Sequence, residues 1–250
     1  MSDYVPAANN HGVIRDVNRE QGFATLTLNR PDRLNSLGSD LLKSLVDSLE
    51  SVASDDSIRA VIITGSGRAF CSGADTDEMA GGKSDGPHKL GPAGAEGLRR
   101  GFHLAQELIL GVHEMEKPVI AAINGDAVGA GFDLACACDI RIAAESAFIS
   151  TGYARVGLSG DYGIAWLLTQ LVGTARAREL MFTADRVDAA TCQQIGLINR
   201  VIPDVSLRDE AFIFSKRLAN GPRIALQHMK ENLEDALHAP FLSALDGEAE

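Results

Sequence analysis

Two short, uninterrupted apolar runs constrain this fold most: AVIIT at residues 60–64 and VIAAI at residues 119–123, each stopped by glycine-bearing turn sequence. Runs of this length, rich in β-branched residues and bounded by turn signals, read as buried strands. Buried strands need other layers to cover them, and the chain supplies helical patterns in between. From Ser39, Leu41, Leu42, Leu45, Val46, Leu49 and Val52 recur on one helical stripe, with Ser39 as the N-cap. FATLTL at residues 23–28 alternates like a strand, stops at an Asn-Arg-Pro-Asp turn, and pairs as a hairpin with the segment around Val13 and Ile14. The apolar run from Phe132 opens a helix, and two short strands follow Asp139. Helices are predicted from about residue 163 through 197, over 207–218, and over 222–237, the last with Pro222 at its first position. No sequence repeat has a fixed period. The fold class is α/β.

Composition removes several functions. The 250 residues carry 34 acidic against 23 basic side chains, a net charge of -11, which opposes a long-range electrostatic role on nucleic acid or an anionic membrane. An anionic ligand must therefore find a local basic site. The N-terminal MSDYVPAANN has neither a cationic start nor an apolar core, so no secretory signal is read there, and the cytoplasm is the expected location. The apolar stretch 119–138 is interrupted by Asn124, Asp126, Asp133 and glycines, which makes it a poor membrane span and a good protein core. Cys71, Cys136, Cys138 and Cys192 are too scattered for a disulfide scaffold and read as buried reduced thiols; no metal site is indicated. Residues 80–101, dense in glycine and proline, read as a mobile loop or lid.

Two segments that follow apolar strands carry the chemistry: FCSGAD at 70–75 and NGDAVGAG at 124–131. Small residues let backbone approach a ligand closely and expose its N–H groups, so two such loops can converge on one oxygen. Removing one donor of such a hole typically costs about 2.7–4 kcal/mol of transition-state stabilisation. Either segment alone is read more plainly as a strand-to-helix turn.

Five blocks extend the pattern: LTLNRPDRLNSL, RAVIITGSGRAFCSGADTDEM, KPVIAAINGDAVGAGFDLACACDIRIAAESA, RVGLSGDYGIAWLLTQLVG and ARELMFTADRVDAATCQQIGLINRV. In order and spacing the chain resembles the enoyl-CoA hydratase/isomerase (crotonase) family over nearly its whole length. The resemblance implies a spiral of repeated ββα units at residues 1–195 and a C-terminal helical region at 196–250 that mediates trimers, which often pair into hexamers. It implies an acyl-CoA substrate, with no cofactor beyond that coenzyme A. It puts the oxyanion-hole amides on Ala74 and Ala130, where alanine replaces a usual glycine and is tolerated only at negative φ. It makes Arg33 and Leu34 candidates for contact with the phosphates and pantetheine, and Ala74 with Asp75 for the adenine pocket.

The resemblance also exposes a departure. A hydratase of this family uses two glutamates to hold and deprotonate one water. Here the first position is Asp133, shortened by a methylene, and the second is Tyr153, a poor base near neutral pH. Asp161 lies where family members that shift a double bond carry their acid and where aryl-CoA dehalogenases carry a nucleophile, which makes it the first choice for catalytic base. Its plainer role is helix capping before Ile164, and that of Asp133 is a first-turn acid favoured by the helix dipole. Two reactions are expected on this basis: hydration of a 2-enoyl-CoA, or migration of a double bond between 3-enoyl and 2-enoyl forms. Hydrolysis or substitution through Asp161 ranks below both. A non-catalytic CoA-binding subunit and a serine peptidase built on Ser72 are readings of a different class. His103, His113, Glu114 and Glu116 read as surface or core side chains, and Trp166 as core or acyl-pocket wall.

Overall fold

The computed structural model describes residues 12–79 and 94–247. Strand β1 (Val13–Asn18) pairs antiparallel with β2 (Phe23–Leu28), the hairpin that alternation predicts. Strands β3 (Ala60–Gly65), β5 (Val119–Ile123), β7 (Ile140–Ala144) and β10 (Arg200–Ile202) then add in parallel, in the order β1-β2-β3-β5-β7-β10. All five residues of β5 are buried, as an apolar run with no alternation requires. A second sheet runs β4 (Ala69–Cys71), β6 (Asp126–Val128), β8 (Phe148–Ser150), β9 (Val187–Asp188).

Three interior strands of the first sheet each turn a tight corner into a strand of the second: β3 into β4, β5 into β6, β7 into β8. A helix follows each pair, so the spiral of ββα units is present in space although no period marks it in sequence. Two corners demand glycine. A Cβ on Gly65 would strike the carbonyls of Ala69 and Phe70, and one on Gly125 would strike the carbonyl of Arg68. Asn124 locks the same corners together: its Oδ1 accepts from the Gly65 amide at 2.9 Å, and its Nδ2 donates to the carbonyls of Gly67 and Ala69 at 3.1 and 3.2 Å.

The helices are α1 (Ser39–Ala53), α2 (Thr76–Met79), α3 (Gly94–His113), α4 (Ala130–Ala137), α5 (Ile164–Thr183), α6 (Ala189–Gln194), α7 (Leu207–Ala219), α8 (Arg223–Asp235) and α9 (Phe241–Gly247). Helix α1 buries the predicted stripe of Leu41, Leu42, Leu45, Val46, Leu49 and Val52 against β1, β2 and α3. Burial of each such side chain stabilises by about 1.5–3 kcal/mol. Buried Lys117 closes its far end by donating to the carbonyls of Val52 and Asp55 at 2.6 and 2.8 Å. Helix α7 packs on β3, β5 and β7, and Lys230 of α8 reaches Asp139 at 3.0 Å beside β5 and β7.

Several expectations shift. The N-cap of α1 is Gly38, and Glu78 of α2 accepts from the Ser39 amide and hydroxyl at 2.8 and 2.7 Å, so an acceptor from another element replaces the predicted cap. The segment 80–101 is not all loop, because α3 begins at Gly94; the helix is anchored farther along by buried Ala105, Leu108, Ile109 and Val112, while residues 80–93 lie outside the described residues. Pro222 is the N-cap of α8 rather than its first residue. Helix α4 opens at Ala130, two residues before the predicted start. Helix α5 breaks at Gly173 (φ 73°, ψ 166°), and β9 and α9 are additions that no sequence pattern signals. The four cysteines are free and buried, as expected.

Candidate active site

The site forms where β4 and β6 end side by side. After β4, Gly73 takes φ +94° and Ala74 forms an isolated parallel bridge with Leu37. The Leu37 amide donates to Gly73 at 2.7 Å and the Asp75 amide to Leu37 at 3.3 Å. Strand geometry alternates the direction of successive peptide groups, so the intervening Ala74 N–H faces away from Leu37. After β6, Gly129 takes φ +52°, and Ala130 opens α4, where a first-turn amide has no intrahelical acceptor. A Cβ on Gly73 would lie 2.8 Å from the Val128 carbonyl and 3.5 Å from the Ala130 nitrogen, so the two turns touch. Neither amide donates to a protein acceptor among the described residues. Adjoining free donors at a helix N-terminus suit an oxygen that gains negative charge. Ala130 is not among the residues with positive φ, which meets the condition for alanine there.

Glycine at 131 has a separate cause. A Cβ there would collide with the carbonyl and side chain of Cys71, so α4 sits directly on β4. The enclosed Cys71 thiol is pushed up to about 12 by burial, which keeps it protonated.

Beside the amides stands a cluster of oxygen acids. Asp133 projects from the first turn of α4, Tyr153 from a short 3-10 turn after β8, and Asp161 from the loop before α5. The Tyr153 hydroxyl is within hydrogen-bonding reach of both Asp133 Oδ2 and Asp161 Oδ1. The family spacing therefore gathers residues that are 20 and 8 positions apart onto one phenol oxygen. Asp133 is 0% exposed, and its Oδ1 has no partner among the described residues. Burial drives its carboxyl well above the ordinary range; Tyr153 opposes the shift and the charge of Asp161 adds to it. Asp161 is partly exposed, and burial raises it too, against the stabilising bond from Tyr153. Burial and the two carboxylates push the Tyr153 phenol far up, so it remains a hydroxyl.

The plainer role of Asp161 does not hold: Gly163 is the N-cap of α5, with no side-chain cap bond, and toward that helix Asp161 offers its backbone carbonyl, which accepts from Ile164 at 3.1 Å. Ser72 donates its amide to Leu34 at 3.0 Å and its hydroxyl to the Arg33 carbonyl at 3.5 Å, with no histidine bonded to it among the described residues. His113 is engaged elsewhere, 3.2 Å from Glu234 and edge-on to Trp166. Trp166 lies between His113 and His238, with ring centroids 5.6 and 5.7 Å away.

Arg33 is exposed and pairs with Asp77; Leu34 sits beside it in the left-handed region at φ 51°. The Asp75 carboxylate is buried, 3.0 Å from Arg30, and receives the Ser36 hydroxyl at 3.3 Å and the Asp77 and Glu78 amides at 3.1 and 3.4 Å. These partners hold it ionised, below the ordinary carboxyl value, in spite of burial.

Sequence reasoning missed three residues. Arg30 holds Asp75, as described. Asn35, also left-handed (φ 55°) and fully buried, donates to the carbonyls of Ser66 and Ala69 at 2.9 and 2.8 Å, pinning the 30–36 loop to the first corner. The signal for Asn35 is that asparagine tolerates this backbone region better than most residues. Tyr162 (φ 51°) sits close enough to Asp161, Cys71 and Asp133 for them, after burial, to raise its phenol further.

The enoyl-CoA hydratase/isomerase family model matches residues 18–250. A protein of Mycobacterium bovis named a probable enoyl-CoA hydratase is 38% identical over 225 residues, covering 89% of this chain and 77% of that protein. The 1,2-epoxyphenylacetyl-CoA isomerase of Escherichia coli is 36% identical over 217 residues, covering 87% of this chain and 80% of the relative. A crystal structure of a probable enoyl-CoA hydratase/isomerase from Mycobacterium abscessus superposes with a TM-score of 0.83 at 33% identity, over 95% of this chain and 87% of that one. This chain belongs to the enoyl-CoA hydratase/isomerase (crotonase) family, with its fold and its enzymatic action on acyl-CoA thioesters.

Proposed function

We propose that this enzyme moves a proton on an enolised acyl-CoA, shifting a double bond from the 3-enoyl to the 2-enoyl position, in preference to adding water. The observation that carries this is the Tyr153 phenol on both carboxylates, which leaves Asp161 as the one partly exposed acid among the three and no second accessible carboxylate there to grip a water. In this reading the thioester carbonyl accepts from the Ala74 and Ala130 amides, which acidifies the C2–H bond. Asp161 takes the C2 proton, the electron pair delocalises into a dienolate, and the proton returns at C4. A solved structure named as a monofunctional enoyl CoA isomerase from M. smegmatis, 34% identical over 94% of this chain, agrees with this class of chemistry.

Arg33 and Leu34 would meet the phosphates and pantetheine of the coenzyme, with Ala74 and the backbone at Asp75 beside the adenine. No resident cofactor enters the scheme, and a cytoplasmic location belongs to the same reading. Among the described residues no helix is long and apolar enough to cross a membrane. Residues 196–250 would carry assembly into trimers and dimers of trimers: Ile224, Leu233, Phe241 and Leu242 are each at least 69% exposed, more apolar surface than an isolated chain retains comfortably.

The test is incubation with 3-enoyl-CoA and 2-enoyl-CoA in heavy-oxygen water, followed by mass spectrometry. Bond migration without oxygen uptake is expected. A labelled 3-hydroxyacyl product as the main outcome would replace this reading with hydration.

A further inference from the structure

A phenol has one proton to give, yet the Tyr153 oxygen touches a carboxyl oxygen on each side. If both aspartates were ionised, one would face a phenol lone pair at hydrogen-bonding distance, which is repulsive. Another proton must lie in the cluster, and the surroundings say where. Asp133 is wholly enclosed with one oxygen unpartnered, whereas Asp161 is partly exposed.

The titratable groups that face Asp133 are Cys71 from β4, Cys136 from its own helix, Tyr153, Asp161 and Tyr162, all acids and none a cation. The buried cation nearest this helix, Arg141, is turned to carbonyl oxygens, those of Leu197 at 2.8 Å and Cys138 at 2.6 Å among them. An enclosed carboxylate without a cation is far costlier than the neutral acid.

We infer that Asp133 works as a neutral carboxylic acid that donates to the Tyr153 oxygen, while Tyr153 donates to Asp161, so that three side chains share two protons in a fixed order. Asp133 is then a positioning residue. It never meets substrate; it fixes the direction of the Tyr153 hydroxyl, which keeps Asp161 the ionised member. When Asp161 removes the C2 proton, that proton goes to its second oxygen and the Tyr153 bond stays in place. The inference rests on Asp161 being the base. It reassigns the first acid of the family pattern from acting on water to setting the state of another acid.

The experiment combines infrared spectra at neutral pH with pH profiles of kcat/KM for D133N, D133A and Y153F. The wild type should show the carbonyl stretch of a protonated carboxylic acid that D133N lacks. The amide of D133N still donates to Tyr153, so kcat should stay within about 10-fold of wild type, whereas D133A should fall by about 10- to 100-fold. In Y153F Asp161 loses its donor, its carboxyl rises further, and the acid limb of the profile should move to higher pH.

Absence of the infrared difference, or a D133N enzyme as inactive as D161N, would overturn the inference. The spectrum reads the proton on Asp133 whatever product forms. A hydrated product with the band present would therefore defeat the isomerase reading and leave the shared protons standing.

Discussion

The two halves of the site are built on opposite principles. The amide half, at Ala74 and Ala130, is made of backbone, and its precision comes from places where no Cβ fits, at Gly73 against Val128 and at Gly131 against Cys71. The acid half, Asp133, Tyr153 and Asp161, is made of side chains from separate elements, and its precision comes from where protons sit. Steric exclusion is insensitive to pH and salt. Proton placement responds to both, so a change of medium reaches the acid half without reaching the amide half.

The acid half is tested most severely by D161N. Loss of the base should reduce kcat by about 10³-fold or more, within the range for general acid–base catalysis, and abolish solvent exchange at C2 of a bound acyl-CoA followed by NMR. Retained exchange would remove Asp161 from the acid half.

Next is G73A, which adds a Cβ at φ +94° and 2.8 Å from the Val128 carbonyl. Displacing one amide should lower kcat by about 10²–10³-fold. The pH profile should keep its shape, because no titrating group has moved. A profile that shifted with G73A would show that the halves are coupled.

A smaller effect separates them by stability. The folded-state carboxyl of Asp133 lies above its unfolded value near 3.9. Its contribution is therefore fully present below about pH 4 and is lost as pH rises through the folded value. D133N cannot ionise, so its Tm should gain on wild type by several degrees between about pH 4.5 and pH 8, measured by thermal unfolding. A constant difference across that range would mean that Asp133 is not held neutral. The smallest effect should come from R33A, outside both halves: a few-fold higher KM for the CoA ester, diminishing with salt, and none for the matching pantetheine ester.

Legibility in the sequence follows the same division. Strands β2, β3 and β5 and helix α1 announce themselves because a buried face leaves a period or an apolar run. The glycine segments announce themselves because close approach leaves no other residue type. The start of α3 inside a glycine-rich stretch is hidden, since the buried residues that anchor the helix, Ala105, Leu108, Ile109 and Val112, lie well past that start. The cap of α1 is misplaced from sequence because Glu78 arrives from another element. In the acid half, residue types and family spacing point to Asp133, Tyr153 and Asp161, but nothing local says that one phenol meets both carboxyls. Arg30 and Tyr162 act across the fold and leave no pattern of their own, and Asn35 leaves only a residue type that tolerates left-handed backbone.

Trp166, the chain's one tryptophan, stands between the imidazoles of His113 at the end of α3 and His238 just past α8. The molecule thus contains its own optical gauge of whether its last helices are seated. Indole emission should be dimmer when His238 lies against the ring, and dimmer still when the imidazoles carry protons. Stopped-flow fluorescence during refolding would then time the arrival of the C-terminal helices separately from closure of the sheet, with no label added.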